Sequence, residues 1–180
     1  MWEAFRTLAP VPSPPNMRAA VLVPLYADGD DIRMILTKRP EDMRTHPGQV
    51  AFPGGRIDAE DDGPVGAAIR EAWEEVSLPP DHVEEIFGGL EPLTTNRPEM
   101  LIIPVVARVR RPRQLVPEPG EVEAILEPTL GELMDDDAWV VQRWDGMEMW
   151  FYEFPEAILW GATAFIVRRL IAHLRSTGTR

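Results

Sequence analysis

The sequence predicts an α/β fold with a mixed β-sheet, on three observations. Strand-like runs at 18–26 and 32–37 flank Asp28-Gly29-Asp30, and a second pair within 138–154 flanks Asp145-Gly146; short Asp/Gly turns between such runs signal hairpins. The stretch LIIPVVARV at 101–109 is almost continuously apolar at strand length, the pattern of a strand buried on both faces. Apolar residues recur at helical spacing in 65–76 and 159–174, so each of these segments turns one face to a core. Strands and helices mixed in this way layer as helices against a sheet.

Taken in order, the chain opens with a short helix from Trp2 to Leu8. Pro10, Pro12, Pro14 and Pro15 then exclude regular ladders, so residues 1–17 form a Pro-rich leader, a packing or dimer arm, to one domain over 18–176. The first hairpin starts the sheet. Beyond the acidic loop of 52–78 a helix follows, whose apolar arc is Val65, Ala68, Ile69, Ala72, Trp73 and Val76 and which Pro79-Pro80 ends. A strand within 82–93 bends at Gly88-Gly89, and TTNRPEM (94–100) is a polar loop. Pro104 implies a bulge in the buried strand. Residues 110–121 are a basic, then Pro-rich loop whose Arg110, Arg111 and Arg113 either touch substrate phosphate or, the reading favoured here, face solvent, and PTLGELM (128–134) is a helical turn. The second hairpin and the helix over 159–174 close the sheet.

Composition narrows the function classes. The 180 residues have 44% hydrophobic content and no cysteine, enough for one ordinary core and excluding disulfides and thiol chemistry. A net charge of -12 argues against a nucleic-acid surface, which needs clustered Lys and Arg. With no membrane-length apolar run and no apolar signal core at the N-terminus, a soluble cytoplasmic protein without membrane partners is expected. An acidic chain still binds a small phosphorylated ligand where metal, arginines and backbone N–H groups are concentrated locally.

The stretch that concentrates such groups is 52–78, FPGGRIDAEDDGPVGAAIREAWEEVSL. Glu71, Glu74 and Glu75 lie three and four residues apart on one side of the helix, where like charges repel by a few tenths of a kcal/mol per pair. A hard divalent cation offsets that repulsion, with Mg²⁺ taking a few carboxylates and keeping positions for water and phosphate. Arg70 stands four residues before Glu74, close enough to orient it. A bare acidic stripe is more often a solvated face, and the neighbouring residues decide against that here.

Gly54-Gly55, the acidic loop Asp58, Glu60, Asp61, Asp62, and Arg70, Glu71, Ala72, Glu74, Glu75 and Leu78 together resemble the signature of the Nudix hydrolases. Three positions depart: Asp62 stands where the family has glutamate, Gly55 lies one residue further back than the pattern, and Ser77 replaces the closing glycine. Upstream, Leu36-Thr37, Arg39, Arg44, Gly48 and Phe52-Pro53-Gly54-Gly55 resemble the extra motif of coenzyme A diphosphatases, with Pro40 at a position usually Ser or Ala. Trp160-Gly161-Ala162-Thr163-Ala164 is similar to that subgroup as well.

The resemblance implies a Nudix α/β/α sandwich and metal-dependent hydrolysis of a nucleoside diphosphate derivative. Coenzyme A would be split to 4'-phosphopantetheine and 3',5'-ADP. Mg²⁺ or Mn²⁺ would be held by Glu71, Glu74, Glu75 and the Gly55 carbonyl, with Arg70 orienting the glutamates. The base is open among Glu75, Glu71 and Glu121; Glu121 or Glu123 is a candidate extra carboxylate by location. Arg39, Arg44, Gly48, Gly54 and Arg97 are candidate substrate contacts, the arginines as fork-shaped phosphate donors and the glycines by admitting close backbone approach. His46 reads as a hydrogen-bonded loop residue, and the tryptophans of the second hairpin as core or dimer surface. The family also implies a homodimer. TTNRPEM departs from the coenzyme A pattern, which keeps ADP-ribose or a related dinucleotide as an alternative substrate. A non-catalytic nucleotide-binding regulator is disfavoured by the complete set of helix glutamates.

Overall fold

A computed structural model describes residues 2–15, 17–43, 45–94, 101–144 and 146–178. Its central element is β1 (Met17–Asp28), a 12-residue strand with neighbours on both edges. On one edge, β2 (Asp31–Met34) returns antiparallel across the expected turn, with Asp28 opposite Asp31. Further toward the start of β1 on that edge lies β5 (Gly54–Arg56), with Val21 opposite Gly54 and Ala20 opposite Gly55. The other edge pairs in parallel with β8 (Leu101–Val109) from Ala19↔Ile102 to Leu25↔Arg108. Antiparallel to β8 run β6 (Val83–Gly89) and the short β7 (Leu93–Thr94), completing a mixed six-stranded sheet.

Alternation along β1 and β8 sends side chains to two cores, as a pleated strand requires. On one face Ala20, Leu22, Ile103, Val105 and Ala107 meet Ala67, Ala68, Ala72 and Val76 of α1 (Gly63–Val76). On the other, Val23, Leu25 and Val106 meet Ile166, Val167, Leu170 and Leu174 of α3 (Gly161–Ser176). The result is a helix–sheet–helix sandwich with the acidic helix on one side. The Pro-rich leader packs on the sheet: Phe5 is buried and stacks on Phe87, and the Gly89 N–H donates to the Ala9 carbonyl at 2.9 Å.

Two smaller sheets complete the molecule. One has the order β4 (Val50–Ala51), β3 (Leu36–Lys38), β9 (Ala124–Leu126). The other is the second hairpin, β10 (Trp139–Trp144) and β11 (Met147–Phe154), extended by β12 (Ala157–Leu159). Between them α2 (Leu130–Met134) begins at a reciprocal cap in which Thr129 and Glu132 each accept the other's backbone N–H. This satisfies two donors left open at a helix start.

Four sequence expectations change. The strand expected over 32–37 breaks at Ile35, whose N–H still reaches the Pro24 carbonyl at 3.1 Å while Leu36–Lys38 turn to other partners. Pro104 makes no bulge in its parallel pairing with β1, where the register runs evenly past it. Its carbonyl accepts from Leu90 at 3.1 Å on the far edge, so the absent N–H falls in the gap between β6 and β7. Arg111 does not face solvent but grips both oxygens of Glu127 at 2.6 and 2.8 Å. Trp73 is 49% exposed, and Glu75 is buried in its place; α1 is rotated about its axis toward its carboxylate side.

Ser77 ends α1 in the left-handed region, φ 55°, with its N–H closing on the Trp73 carbonyl at 3.0 Å. A residue with a Cβ costs about 1 kcal/mol in that conformation, where glycine is unpenalised. Ser77→Gly is therefore expected to raise stability by about 0.5–1 kcal/mol, read as a higher urea midpoint with an unchanged slope.

Candidate active site

The site is built where α1 crosses β5. Gly54 and Gly55 have no side chains, and α1 settles on them. A Cβ on Gly55 would run into the Glu71 carboxylate, and one on Gly54 into the backbone of Ala20 and Val21. The two glycines therefore let a strand and a row of carboxylates come into contact.

Arg70 organises the acidic side of the helix. Its Nε and Nη2 donate to the two oxygens of Asp61 at 2.9 and 3.0 Å, a paired fork. Nη1 donates to Glu71 at 3.1 Å and Glu74 at 3.0 Å, and Nη2 also reaches the Arg56 carbonyl at 2.9 Å. Asp61 also accepts the Asp58 N–H at 2.8 Å. Arg70 holds the Asp61 carboxyl below the ordinary carboxylate range. The family position of the acidic loop residue fell on Asp62, yet Asp62 is the N-cap with no side-chain cap bond, and its neighbour Asp61 does the work of fixing Arg70. The acidic loop flagged the region, but the loop's path decides that Asp61 makes the fork, with Asp58 3.6 Å from the same guanidinium.

Glu75 is in a different state. It is 5% exposed, and Oε2 accepts the Gly54 N–H at 3.2 Å. Burial pushes its pKa up to about 8, opposed by the Gly54 N–H and Arg39 and reinforced by the charges of Glu71 and Glu121. Burial likewise raises Glu71, against the pull of Arg70 and with added repulsion from Glu74 and Glu121. Three of the expected carboxylates, Glu71, Glu75 and Glu121, thus act on one another. Glu74 instead lies with Arg70, its side chain 54% exposed. Among the described residues no three acidic or imidazole groups converge as a ready-made metal cage. The donor chemistry still suits a hard divalent cation: the carboxylate oxygens of Glu71 and Glu74, the buried carboxyl of Glu75, which a cation would deprotonate, and a glycine strand with no side chain in the way.

The other candidates are placed as follows. Arg39 is half-buried, its charge acts on Glu75, and its Nε is buried with no hydrogen-bond partner. Such an orphaned donor beside a carboxylate cluster is a group awaiting an acceptor. Gly48 turns the loop after Pro40 at φ +64°, where a Cβ would meet the Glu41 carboxylate at 2.6 Å. Glu121 is exposed on the loop ahead of β9, while Glu123 is committed to Lys38 at 2.8 Å. His46 is exposed in a left-handed turn, and its carbonyl accepts the Gln49 N–H at 3.3 Å. Arg44, Arg97 and the remainder of 95–100 lie outside the described residues. No helix among the described residues is long and apolar enough to cross a membrane.

The NUDIX domain family matches residues 16–151. A protein of Enterobacter sp. (strain 638) named uncharacterized Nudix hydrolase NudL is 37% identical over 157 residues, covering 85% of this chain and 80% of its own length. A protein of the same name from Photorhabdus laumondii is 34% identical over 170 residues, covering 89% of each. Among solved structures, a C. elegans Ap4A hydrolase binary complex superposes with a TM-score of 0.57 at 18% identity, over 88% of this chain and 99% of that one, a likeness of fold. With the glycine strand, the Arg70 clamp and the carboxylates of α1 in place, the chain belongs to the Nudix hydrolases, which split phosphoanhydride bonds in nucleoside diphosphate derivatives.

Proposed function

We propose that the protein is a Mg²⁺- or Mn²⁺-dependent diphosphatase acting on coenzyme A or its derivatives, releasing 4'-phosphopantetheine and 3',5'-ADP. The observation that carries this reading is Arg39. The upstream motif resembling coenzyme A diphosphatases supplies a half-buried guanidinium with an orphaned Nε beside the Glu71–Glu75–Glu121 cluster. A diphosphate lying between the two would meet a fork-shaped donor on one side and a cation held by carboxylates on the other.

Glu71 and Glu75 would hold the cation, joined by Glu74 and the Gly55 carbonyl. Bound there, the ion supplies charge neutralisation for the diphosphate and lowers the pKa of the attacking water. The rest is done by the chain. Arg70, itself fixed by Asp61, orients Glu71 and Glu74, and the Gly54 N–H fixes Glu75. Glu121, exposed and close enough for its charge to act on Glu71 and Glu75, would take the proton from the water as the water oxygen bonds to phosphorus and the anhydride oxygen leaves on the other phosphate. Arg39 stabilises the charge gathering on the phosphoryl oxygens.

Three outcomes are expected. With Mg²⁺ or Mn²⁺, mass spectrometry should detect 4'-phosphopantetheine and 3',5'-ADP from coenzyme A, and chelation should abolish both; cleavage of ADP-ribose alone would reject the substrate. Asp61→Asn should lower kcat/KM by about 10–100-fold by loosening the residue that orients the carboxylates. Third, the raised pKa of Glu75, about 8 against an ordinary 4.5, means the metal-free fold holds that proton more tightly than the unfolded chain does. Stability from this group is fully present below pH 4.5 and lost as pH rises through about 8. The melting temperature in chelator should fall across that window and recover with divalent metal. Glu75→Gln should flatten the pH dependence, stabilise the metal-free protein at high pH by about 1–2 kcal/mol, and remove both the recovery and the activity.

A further inference from the structure

Between the β3–β4 connection and the end of β12 lies a cavity of about 300 Å³ lined by Lys38, Glu41, Gly48, Gln49, Ile158 and Trp160 among others. It adjoins the proposed diphosphate site through one residue. The Gln49 carbonyl accepts the Arg39 N–H at 3.0 Å, and the Arg39 charge acts on Glu75.

The chemistry of this cavity differs from that of the cluster beside it. Ile158 and Trp160 are 47% and 38% exposed, large apolar groups left facing water. Trp160 stacks on Phe151 with ring centres 6.4 Å apart and planes 15° from parallel, and Phe151 is cross-strand from the exposed Val140. An apolar track therefore leaves the cavity along the outer face of β10, β11 and β12. Its charges suit no phosphate: among the described lining residues Lys38 is the one cation, and it is held by Glu123 at 2.8 Å and Glu41 at 3.3 Å. Glu156 adds a further negative charge.

We propose that this cavity and the Trp160–Phe151–Val140 track receive the uncharged arm of the substrate, on the far side of the diphosphate from the nucleoside, and that an acyl chain on that arm strengthens binding. This rests on the coenzyme A reading above and assigns its direction. An arm of amides and alkyl groups finds hydrogen-bonding groups in the cavity and apolar surface beyond it. A second nucleotide in the same place would set its phosphates against Glu41 and Glu156.

The test compares kcat/KM for free and octanoyl-coenzyme A, with Mg²⁺, in the unaltered protein and in Trp160→Ala and Ile158→Ser. Melting temperatures establish that both variants are folded. The unaltered protein should favour the octanoyl substrate by about tenfold, a pocket's usual discrimination for added methylenes. Each variant should bring the ratio toward one by raising KM for the octanoyl substrate. A ratio at or below one in the unaltered protein, or a ratio unmoved in both folded variants, overturns the pocket assignment and leaves the coenzyme A reading standing. Failure to cleave either species overturns that reading and the assignment with it.

Discussion

Holding like charges together is the constraint that shapes this protein. Unit charges 4 Å apart interact by about 4 kcal/mol at the effective dielectric of a protein surface, so a helix carrying Glu71, Glu74 and Glu75 next to an acidic loop needs internal opposition. Arg70 supplies it on one side, answering Asp61, Glu71 and Glu74 at once from the middle of α1. Lys cannot replace such a fork, because its point charge cannot fix several planar groups in register. The other side is left deliberately incomplete. Glu75 has only a single backbone N–H and the charge of Arg39 to set against its burial and the charges of Glu71 and Glu121, so it keeps its proton up to about pH 8.

That incompleteness depends on packing. The face α1 turns to the sheet is made of Ala67, Ala68 and Ala72, so the helix sits low on the sheet. Gly54 and Gly55 on β5 remove the last side chains that would hold it off. Small residues on both surfaces are thus what bury Glu75, and burial is the largest cause of its altered proton affinity. Electrostatics and packing are here one design: adding a methyl group at position 55 would displace a carboxylate.

The sequence made the hairpins, the buried strand 101–109 and both long helices legible because each is written in local periodicity and turn residues. The acidic cluster was legible too, since helical spacing alone puts Glu71, Glu74 and Glu75 on one side. What escaped was decided by distant partners. The break at Ile35 exists because β9, nearly ninety residues on, claims Leu36–Lys38. The exchange of Trp73 for Glu75 in the buried arc follows from the glycines of β5, which no helical wheel includes. Asp61 and Asp62 are chemically alike and adjacent, and only the path of the loop decides which one meets Arg70. Arg111 looked solvated because its partner Glu127 is brought close by the return of the chain.

The parallel pairing of β1 with β8 has a consequence for how the molecule forms. The residues between these strands include the whole acidic helix, so the platform under α1 is half missing until a strand from beyond residue 100 docks. Such a high-separation contact incurs its loop-closure entropy before any burial repays it, and chains with this topology fold more slowly than those built of local contacts. During synthesis the carboxylates leave the ribosome before their supporting strand, so the acidic surface is completed only when the second half of the chain arrives.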